Sequence, residues 1–400
     1  MLGCCAAMEL AARGASVVLI EADQELLRGA SHANEGKLHL GHVYSLDRSL
    51  ATARLMLRGA LGAGPALRKW LGTDAFQAFP VSVDYRYAVH RDSLASTDAL
   101  EGHYAACTAL AVELLCGRPP DCFGTDPREP TRRLPLGADC APRLVQALFQ
   151  TPEISLDNRR VGAALRRAVA AEKRIEVMTG TRATTARLEP DAVTVTLADT
   201  DGRMTERRFE HVVNATWTSR LALDAQVGLA PPPEWLFRLK YLVRLRGARV
   251  VEVPPTTICV GAFGDVVVLE PGHIVLSWYP AGRQGSSAAL TPPAWPAGLA
   301  GAAADDTRRR TVEGLGALFP PLLALLDDPA LARAEVSGGV IYAVGGSDVH
   351  DPGSALHARH AIGRRSMGRW HSVDPGKWTT CPFFATEVAE HIRPAVRRAA

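Results

Sequence analysis

The apolar positions of this chain recur with two periods, and together they predict an α/β order. Small and apolar residues cluster around Met8 and Leu10, which reads as a short helix. An Arg13-Gly14 turn then leads into the four-residue apolar run at 17–20, the pattern of a buried parallel strand. Leu50, Ala53, Met56, Leu57, Leu61 and Leu67 recur near the helical period and predict a helix over 48–71. Val81, Val83, Tyr85, Tyr87 and Val89 alternate, predicting a half-buried strand. A second helical stretch covers 97–115, and the Pro- and Gly-rich text at 117–140 reads as irregular. Asp157 is the expected N-cap of a helix that runs through Val161, Leu165 and Val169.

Beyond that helix, the segment from Ile175 to Gly180, the strand pattern at 192–197 and a turn at 199–202 lead to a short apolar strand. That strand ends in Asn214-Ala215-Thr216. Strand candidates at 241–245, 250–253, 257–260, 266–269 and 274–278, joined by Pro and Gly turns, predict an antiparallel sheet. A helix is expected over about 308–318, and the last stretch returns to Gly-rich strand, loop and helix. No internal repeat is present. The order implies an α/β cofactor domain assembled from 1–75, 141–222 and 335–400. A mixed-sheet α+β substrate domain, 76–140 and 223–334, is inserted between its pieces.

The opening helix, turn, strand and acid at Glu21 match the second half of a dinucleotide-binding βαβ unit. Gly3 takes the place of the last glycine of G-x-G-x-x-G. Met1 and Leu2 then occupy the two positions before it, and the first strand and first two glycines are expected upstream of residue 1.

Composition narrows the class. The chain has 400 residues, 47% apolar and 22% charged, a globular balance with ample core. A net charge of +3, with no basic block interleaved with aromatics, argues against nucleic acid as a partner. The eight cysteines form no C-x-x-C pair, which disfavours a zinc site or a disulfide framework and predicts reduced thiols in a cytoplasmic protein. No apolar run approaches the roughly 20 residues of a membrane span, and the N-terminus lacks the basic start of a secretory signal.

Three further segments carry a family resemblance. They are Gly29-Ala30-Ser31-His32-Ala33-Asn34-Glu35-Gly36, the stretch from Glu153 through Val177 to Asn214-Ala215-Thr216, and His371 through Asp374-Pro375-Gly376-Lys377-Trp378-Thr379-Thr380 to Pro382. With the opening unit, their order and spacing resemble the D-amino-acid-oxidase-like (DAO) superfamily of FAD-dependent oxidoreductases. The resemblance implies an FAD-binding Rossmann-like domain whose first strand is missing from this sequence.

It further implies that Gly3, Glu21, Ser31, Asn34, Gly36, Val177, Asn214, Ala215, Thr216, Gly376, Lys377, Thr379 and Thr380 contact FAD. Glu21 suits ribose hydroxyls. The helix predicted after Thr380 would direct its N-terminal end toward the flavin. Read without the resemblance, the 29–36 stretch is an ordinary turn and Glu21 an ordinary surface acid.

Substrate chemistry is expected in the polar stretch that contains His350, His357 and Arg359, and at Lys377. An arginine there suits a carboxylate, and a histidine could take a proton; the same stretch also reads as a surface loop. Tyr85 and Tyr87 are candidates for pocket or core, with Arg86 on the opposite face. His39 and His42 lie near the flavin loop without a third ligand, and no metal is expected.

The expected function is oxidation of a C–N or C–O bond in a small acidic substrate. Candidates are an amino acid, an N-methyl amino acid, a 2-hydroxy acid or a glycerol-phosphate-like molecule, with hydride transfer to flavin and oxygen or an electron carrier as acceptor. Two other readings are a truncated, non-catalytic binding scaffold and an NAD-dependent dehydrogenase. The second of these fits the opening unit but leaves the segment around Gly376–Thr380 unexplained.

Overall fold

The computed structural model describes residues 1–79 and 81–392. The opening helix, Leu2–Ala12, is buried along almost its whole length, so its apolar residues need not favour one face. Gly14 turns the chain at a positive φ of 91° into the strand Val17–Ile20. That strand runs parallel to Ile175–Met178, in register from Val17 with Ile175 to Ile20 with Met178.

A second small sheet carries Val212–Asn214 parallel to Trp370–Asp374, which pairs antiparallel with Gly363–Met367. These two pieces are not hydrogen-bonded to each other. The opening helix lies against both: a Cβ on Gly3 would stand 3.5 Å from a Leu19 methyl and 3.7 Å from the Ala215 Cβ. Those are ordinary contacts, so close packing alone does not demand glycine at this position.

The predicted helices form at Ala51–Leu71, Thr97–Leu115, Asn158–Ala171, Gly301–Leu318 and Cys381–His391. Asp157 caps the third of these, its carboxylate accepting from the amides of Arg159 (3.0 Å) and Arg160 (3.2 Å). The first and third, together with the opening helix and Cys381–His391, enclose one apolar core around Leu57, Leu67, Leu165 and Val388. A second core, under the large sheet, packs Leu245, Val266 and Leu276 against Val312 and Leu315 of Gly301–Leu318.

The large sheet has nine strands and is mixed. Its longest strand, Trp235–Arg246, pairs along one edge with Glu335–Val344 and along the other with Arg283–Ser287 and His273–Trp278. Its one parallel pairing joins Arg86–His90 to Thr256–Cys259. The sheet also takes in Val145–Gln150 and Glu335–Val344, strands that the sequence reading placed on the cofactor side of the domain boundaries.

Two strand expectations differ from the structure. The alternating stretch at 81–89 becomes a strand only from Arg86, because Asp84 takes φ +56° and Val83 faces solvent. Residues 250–253 form no strand. Pro254 and Pro255 follow directly, and proline offers no amide to a sheet and constrains the residue before it. All eight cysteines are unpaired, and only Cys116 is exposed. No described helix is long and apolar enough to cross a membrane.

Candidate functional site

One cavity of about 1440 Å³ runs from the end of Val17–Ile20, past the opening helix and the 28–39 segment, to the large sheet and the Cys381–His391 helix. Its volume exceeds the roughly 300–1,000 Å³ common for small-molecule sites. An extended ligand suits it.

The first end is built by strand termini, where α/β folds bind ligands. Glu21 follows the strand Val17–Ile20 and lines the cavity. One carboxylate oxygen accepts from the Asp23 amide at 3.0 Å, which aims the group while leaving the other oxygen free for hydroxyls. Asn214, Ala215 and Thr216 line the cavity at the end of the neighbouring sheet. The Asn214 side chain is spent inside the protein: it donates to Asp224 at 2.8 Å and accepts from the Thr216 hydroxyl at 2.7 Å. Val177, in contrast, does not line the cavity and is 37% exposed.

In the middle, the loop at 29–36 is braced by Asn34. Its amide donates to the carbonyls of Ala30 and Ser31 and accepts from Gly36 N–H at 2.8 Å. Gly36 takes φ +68°, and a Cβ there would collide with the Leu156 carbonyl. Asn34 therefore shapes the loop, and the loop lines the cavity from Gly29 to Ser31 and from Ala33 to Gly36.

At the far end, Gly376 and Lys377 line the cavity, while Thr379 and Thr380 lie completely buried behind them. Thr380 is the N-cap of Cys381–His391, yet its hydroxyl turns its one hydrogen back between the carbonyls of Pro375 and Lys377. The amides of the helix's first turn are thus left without a side-chain cap. The Thr379 hydroxyl is buried with no partner.

Lys377 is half-buried, and its ammonium makes no ion pair among the described residues. Burial first, and then the nearby Arg359 guanidinium, hold its pKa down to about 7. Arg359 is buried and lines the same end, giving one N–H to the Tyr342 carbonyl at 2.7 Å. Burial lowers its pKa as well.

The structure does not bring the two histidines of the 348–359 stretch to this place. His350 is exposed, and His357 turns inward so that its Nε2 meets the Asp351 carbonyl at 3.0 Å. Neither lines the cavity. Asp348 is held by Arg238 (2.8 Å), Arg283 (2.8 Å) and the Tyr279 hydroxyl (2.6 Å), which ties down the base of that stretch.

Glu35, Lys37 and Lys240 at this end carry no role of their own in the sequence, and His39 stands out there only as a metal ligand without partners. Glu35, Lys37 and His39 line the cavity at every second position, while Leu38 and Leu40 point into the core. That alternation was visible in the chain, but its meaning was not, because the partners are distant. Lys240 lines the cavity and holds Glu35 at 2.9 Å.

Lys37 donates to the Tyr87 hydroxyl (2.8 Å) and to Thr257 (2.5 Å), and lies 3.3 Å from Glu153. Glu153, fully buried, also accepts from Tyr87 (2.6 Å) and the Leu40 amide (2.8 Å) and lies 3.3 Å from His42. Burial pushes the Glu153 carboxyl up, but Lys37 and His42 outweigh it and hold it well below the ordinary range. Tyr85 and Tyr87 belong to this network behind the cavity wall, with Arg86 facing away toward Asp139 at 3.1 Å.

His39 and Tyr44 complete the far end. His39 Nδ1 and the Tyr44 hydroxyl are buried without hydrogen-bond partners, and the two rings lie 6.0 Å apart. The Lys377 ammonium lies 5.9 Å from the Tyr44 ring. Burial, then Lys377, push the His39 pKa well below its usual value, so the ring is neutral.

A model of the family described as FAD dependent oxidoreductase, DAO, matches residues 1–361. No curated protein matches the chain. Among solved structures, glycine oxidase from Geobacillus kaustophilus is 17% identical with a TM-score of 0.62, over 98% of this chain and 93% of that one. NikD, an amino acid oxidase essential for nikkomycin biosynthesis, is 17% identical with a TM-score of 0.61, over 100% and 92%. The L-alpha-glycerophosphate oxidase of Mycoplasma pneumoniae, whose structure holds FAD, is 15% identical with a TM-score of 0.61, over 97% and 91%. At these identities the likeness establishes a shared fold.

Proposed function

The chain belongs to the DAO family of FAD-dependent oxidoreductases, and on that premise we propose that it oxidises a C–N or C–O bond of a small anionic substrate at the far end of the cavity. The residues present fit FAD. The cavity is large enough, Glu21 offers a carboxylate oxygen for ribose, the 29–36 loop lines the middle, and Cys381, at the start of a helix without a side-chain cap, lines the cavity beside Gly376 and Lys377. When bound, FAD supplies the hydride acceptor.

The single observation that carries the reading is the pair of cations at that end, buried Arg359 and half-buried Lys377, neither of them in an ion pair with a carboxylate of the described residues. Buried charges are normally paired, so these two await an anion from outside. A substrate carboxylate or phosphate would accept from both and be oriented by them.

Protonation of Lys377 sets the expected pH dependence. The free enzyme carries the ammonium below about pH 7 and loses it above. Since kcat/KM reports groups of the free enzyme, kcat/KM for an anionic substrate should fall as pH rises through about 7. Lys377→Met should be slower at pH 6 and should lack this fall. The experiment is anaerobic bleaching of the FAD-loaded protein by small carboxylates and phosphates across pH 5.5–9. A rate that rises through pH 7, or no bleaching by any anion, would sink the proposal.

Glu21 permits a separate check on the cofactor end. Glu21→Ala should weaken FAD binding by about 1.5–3 kcal/mol, the worth of hydrogen bonds to a charged group. Fluorescence titration with FAD would read that as roughly tenfold to hundredfold in Kd. An unchanged Kd would remove Glu21 from the site.

A further inference from the structure

Two histidines lock the small sheet through their rings. We infer that His211 and His371 form an acid-sensitive catch between Val212–Asn214 and Trp370–Asp374, and that one proton taken up by the pair opens it and speeds the loss of FAD. This inference rests on FAD lying against the end of that sheet, where Asn214, Ala215 and Thr216 line the cavity.

His211 directly precedes the strand Val212–Asn214 and lines the cavity. His371 is buried in Trp370–Asp374, in register with Val213. His211 Nδ1 lies 2.9 Å from His371 Nε2. The chain of contacts continues at both ends. His371 Nδ1 lies 2.9 Å from the Ser366 hydroxyl, on the neighbouring strand Gly363–Met367, and His211 Nε2 lies 3.1 Å from an Arg369 Nη1. Arg364 donates to the same Ser366 oxygen at 2.8 Å.

The two arginines fix where the protons sit. A guanidinium only donates, so His211 Nε2 must accept from Arg369, and the His211 proton is on Nδ1. That proton goes to His371 Nε2, which leaves the His371 proton on Nδ1, pointing at Ser366. Every contact is satisfied with one proton on each ring. A second proton on His211 would set an N–H against the Arg369 N–H. A second proton on His371 would set one against the His211 N–H. No tautomer of the pair accommodates an added proton, so protonation breaks a bond of the catch wherever it occurs.

The surroundings offer no relief. The charged and titratable groups that face the pair are Arg364, Arg369, Glu210, Glu387 and His391, whose ring lies 5.3 Å from that of His371. Glu210 is spent on Arg369 at 3.4 Å and Glu387 on Arg364 at 3.5 Å. Burial first, then His211, hold the His371 pKa down to about 3. Burial, then Arg369, lower that of His211.

An opened pair would titrate near the ordinary histidine value of about 6.5. The open form therefore takes up protons that the closed form refuses. The catch is fully closed above about pH 7 and weakens as pH falls below about 6.5 toward the lowered values. Each ring freed on opening makes opening about tenfold more frequent at pH 5.5 than at pH 7.5. Only three residues, Val212 to Asn214, pair with Trp370–Asp374, so the side-chain catch is a large part of what holds this short strand.

The test follows FAD leaving the loaded protein on dilution, read as the rise in free-flavin fluorescence at pH 7.5 and 5.5. The parent should release FAD at least tenfold faster at pH 5.5. His371→Asn cannot take a proton and cannot bridge to His211. It should release FAD faster than the parent at pH 7.5, with less than a threefold difference between the two pH values. Equal rates for the parent at both pH values overturn the inference. So does a His371→Asn protein that keeps the parent's tenfold ratio, the mark of a merely structural ring. Nitrogen NMR of the parent, in labelled histidine, reads the rings whether or not the variant folds. Both rings should carry their proton on Nδ1 and stay neutral at pH 6, and a ring that is protonated there overturns the catch. A parent that takes up no FAD at pH 7.5 overturns the cofactor reading instead, and the NMR result still decides the catch.

Discussion

Arg359→Ala is expected to lower kcat/KM for the anion that best reduces the flavin by about 30- to 5000-fold. Removing one member of a buried, hydrogen-bonded charge pair typically costs about 2–5 kcal/mol, and each 1.36 kcal/mol is a tenfold change in rate. Arg359 merits this range because it is buried at the end of the cavity that Lys377 also lines. Its one bond within the protein, to the Tyr342 carbonyl, leaves most of the guanidinium fork available. Arg359→Lys should recover only part of the loss, because an ammonium cannot reproduce a two-pronged grip on a carboxylate. FAD affinity should change little. Steady-state kinetics on the three proteins, with FAD titrations alongside, would decide the matter. A kcat/KM within threefold of the parent for Arg359→Ala would remove this residue from substrate binding.

Glu153→Ala should destabilise the fold by about 3–5 kcal/mol, the cost of stranding a buried charge by removing its partner. Lys37 would keep its bonds to Tyr87 and Thr257 but lose the one carboxylate of the described residues that it pairs with, in a place where its side chain is 6% exposed. The Leu40 amide and the Tyr87 hydroxyl would lose an acceptor at the same time. Glu153→Gln, which keeps the shape and removes the charge, should fall between parent and Ala. A double substitution, Lys37→Met with Glu153→Leu, should be more stable than Glu153→Ala, since an apolar pair strands no charge. Urea unfolding of the four proteins measures this. A Glu153→Ala midpoint equal to the parent's would show that the network adds nothing to stability.

Much of the cofactor end was legible along the chain. The helix–turn–strand–acid order at 1–21, the Asp157 cap and the Pro382 helix are local features, set by capping and periodicity over a few residues. Their chain order carried the family resemblance. Asn34 was legible as a loop residue but not as the brace of that loop, because its partners at Ala30, Ser31 and Gly36 become visible only when the loop closes.

The substrate end was legible in part. Arg359 and Lys377 stood out as charged residues in a Gly-rich context. His350 and His357 stood out equally, and the fold turns one to solvent and the other to the Asp351 carbonyl. Lys37 and Lys240 did not stand out, Glu153 stood only at the start of a family-like segment, and His39 only as a metal ligand without partners. Lys37 and Glu153 are 116 positions apart, so neither looks unusual in its own segment.

By itself, then, the sequence determined the element types, the nucleotide-binding order of the opening unit and the family, because these depend on short-range periodicity, capping and motif spacing. Tertiary structure alone decided which charges are buried together. Whether a lysine is an ordinary surface cation or an enclosed ammonium with a pKa of about 7 depends on the walls around it. Those walls come from strands and helices hundreds of residues apart. The same folding pairs Lys240 with Glu35 and Lys37 with Glu153, and brings Arg359 and Lys377 to one end of the cavity with no carboxylate of the described residues in an ion pair with either.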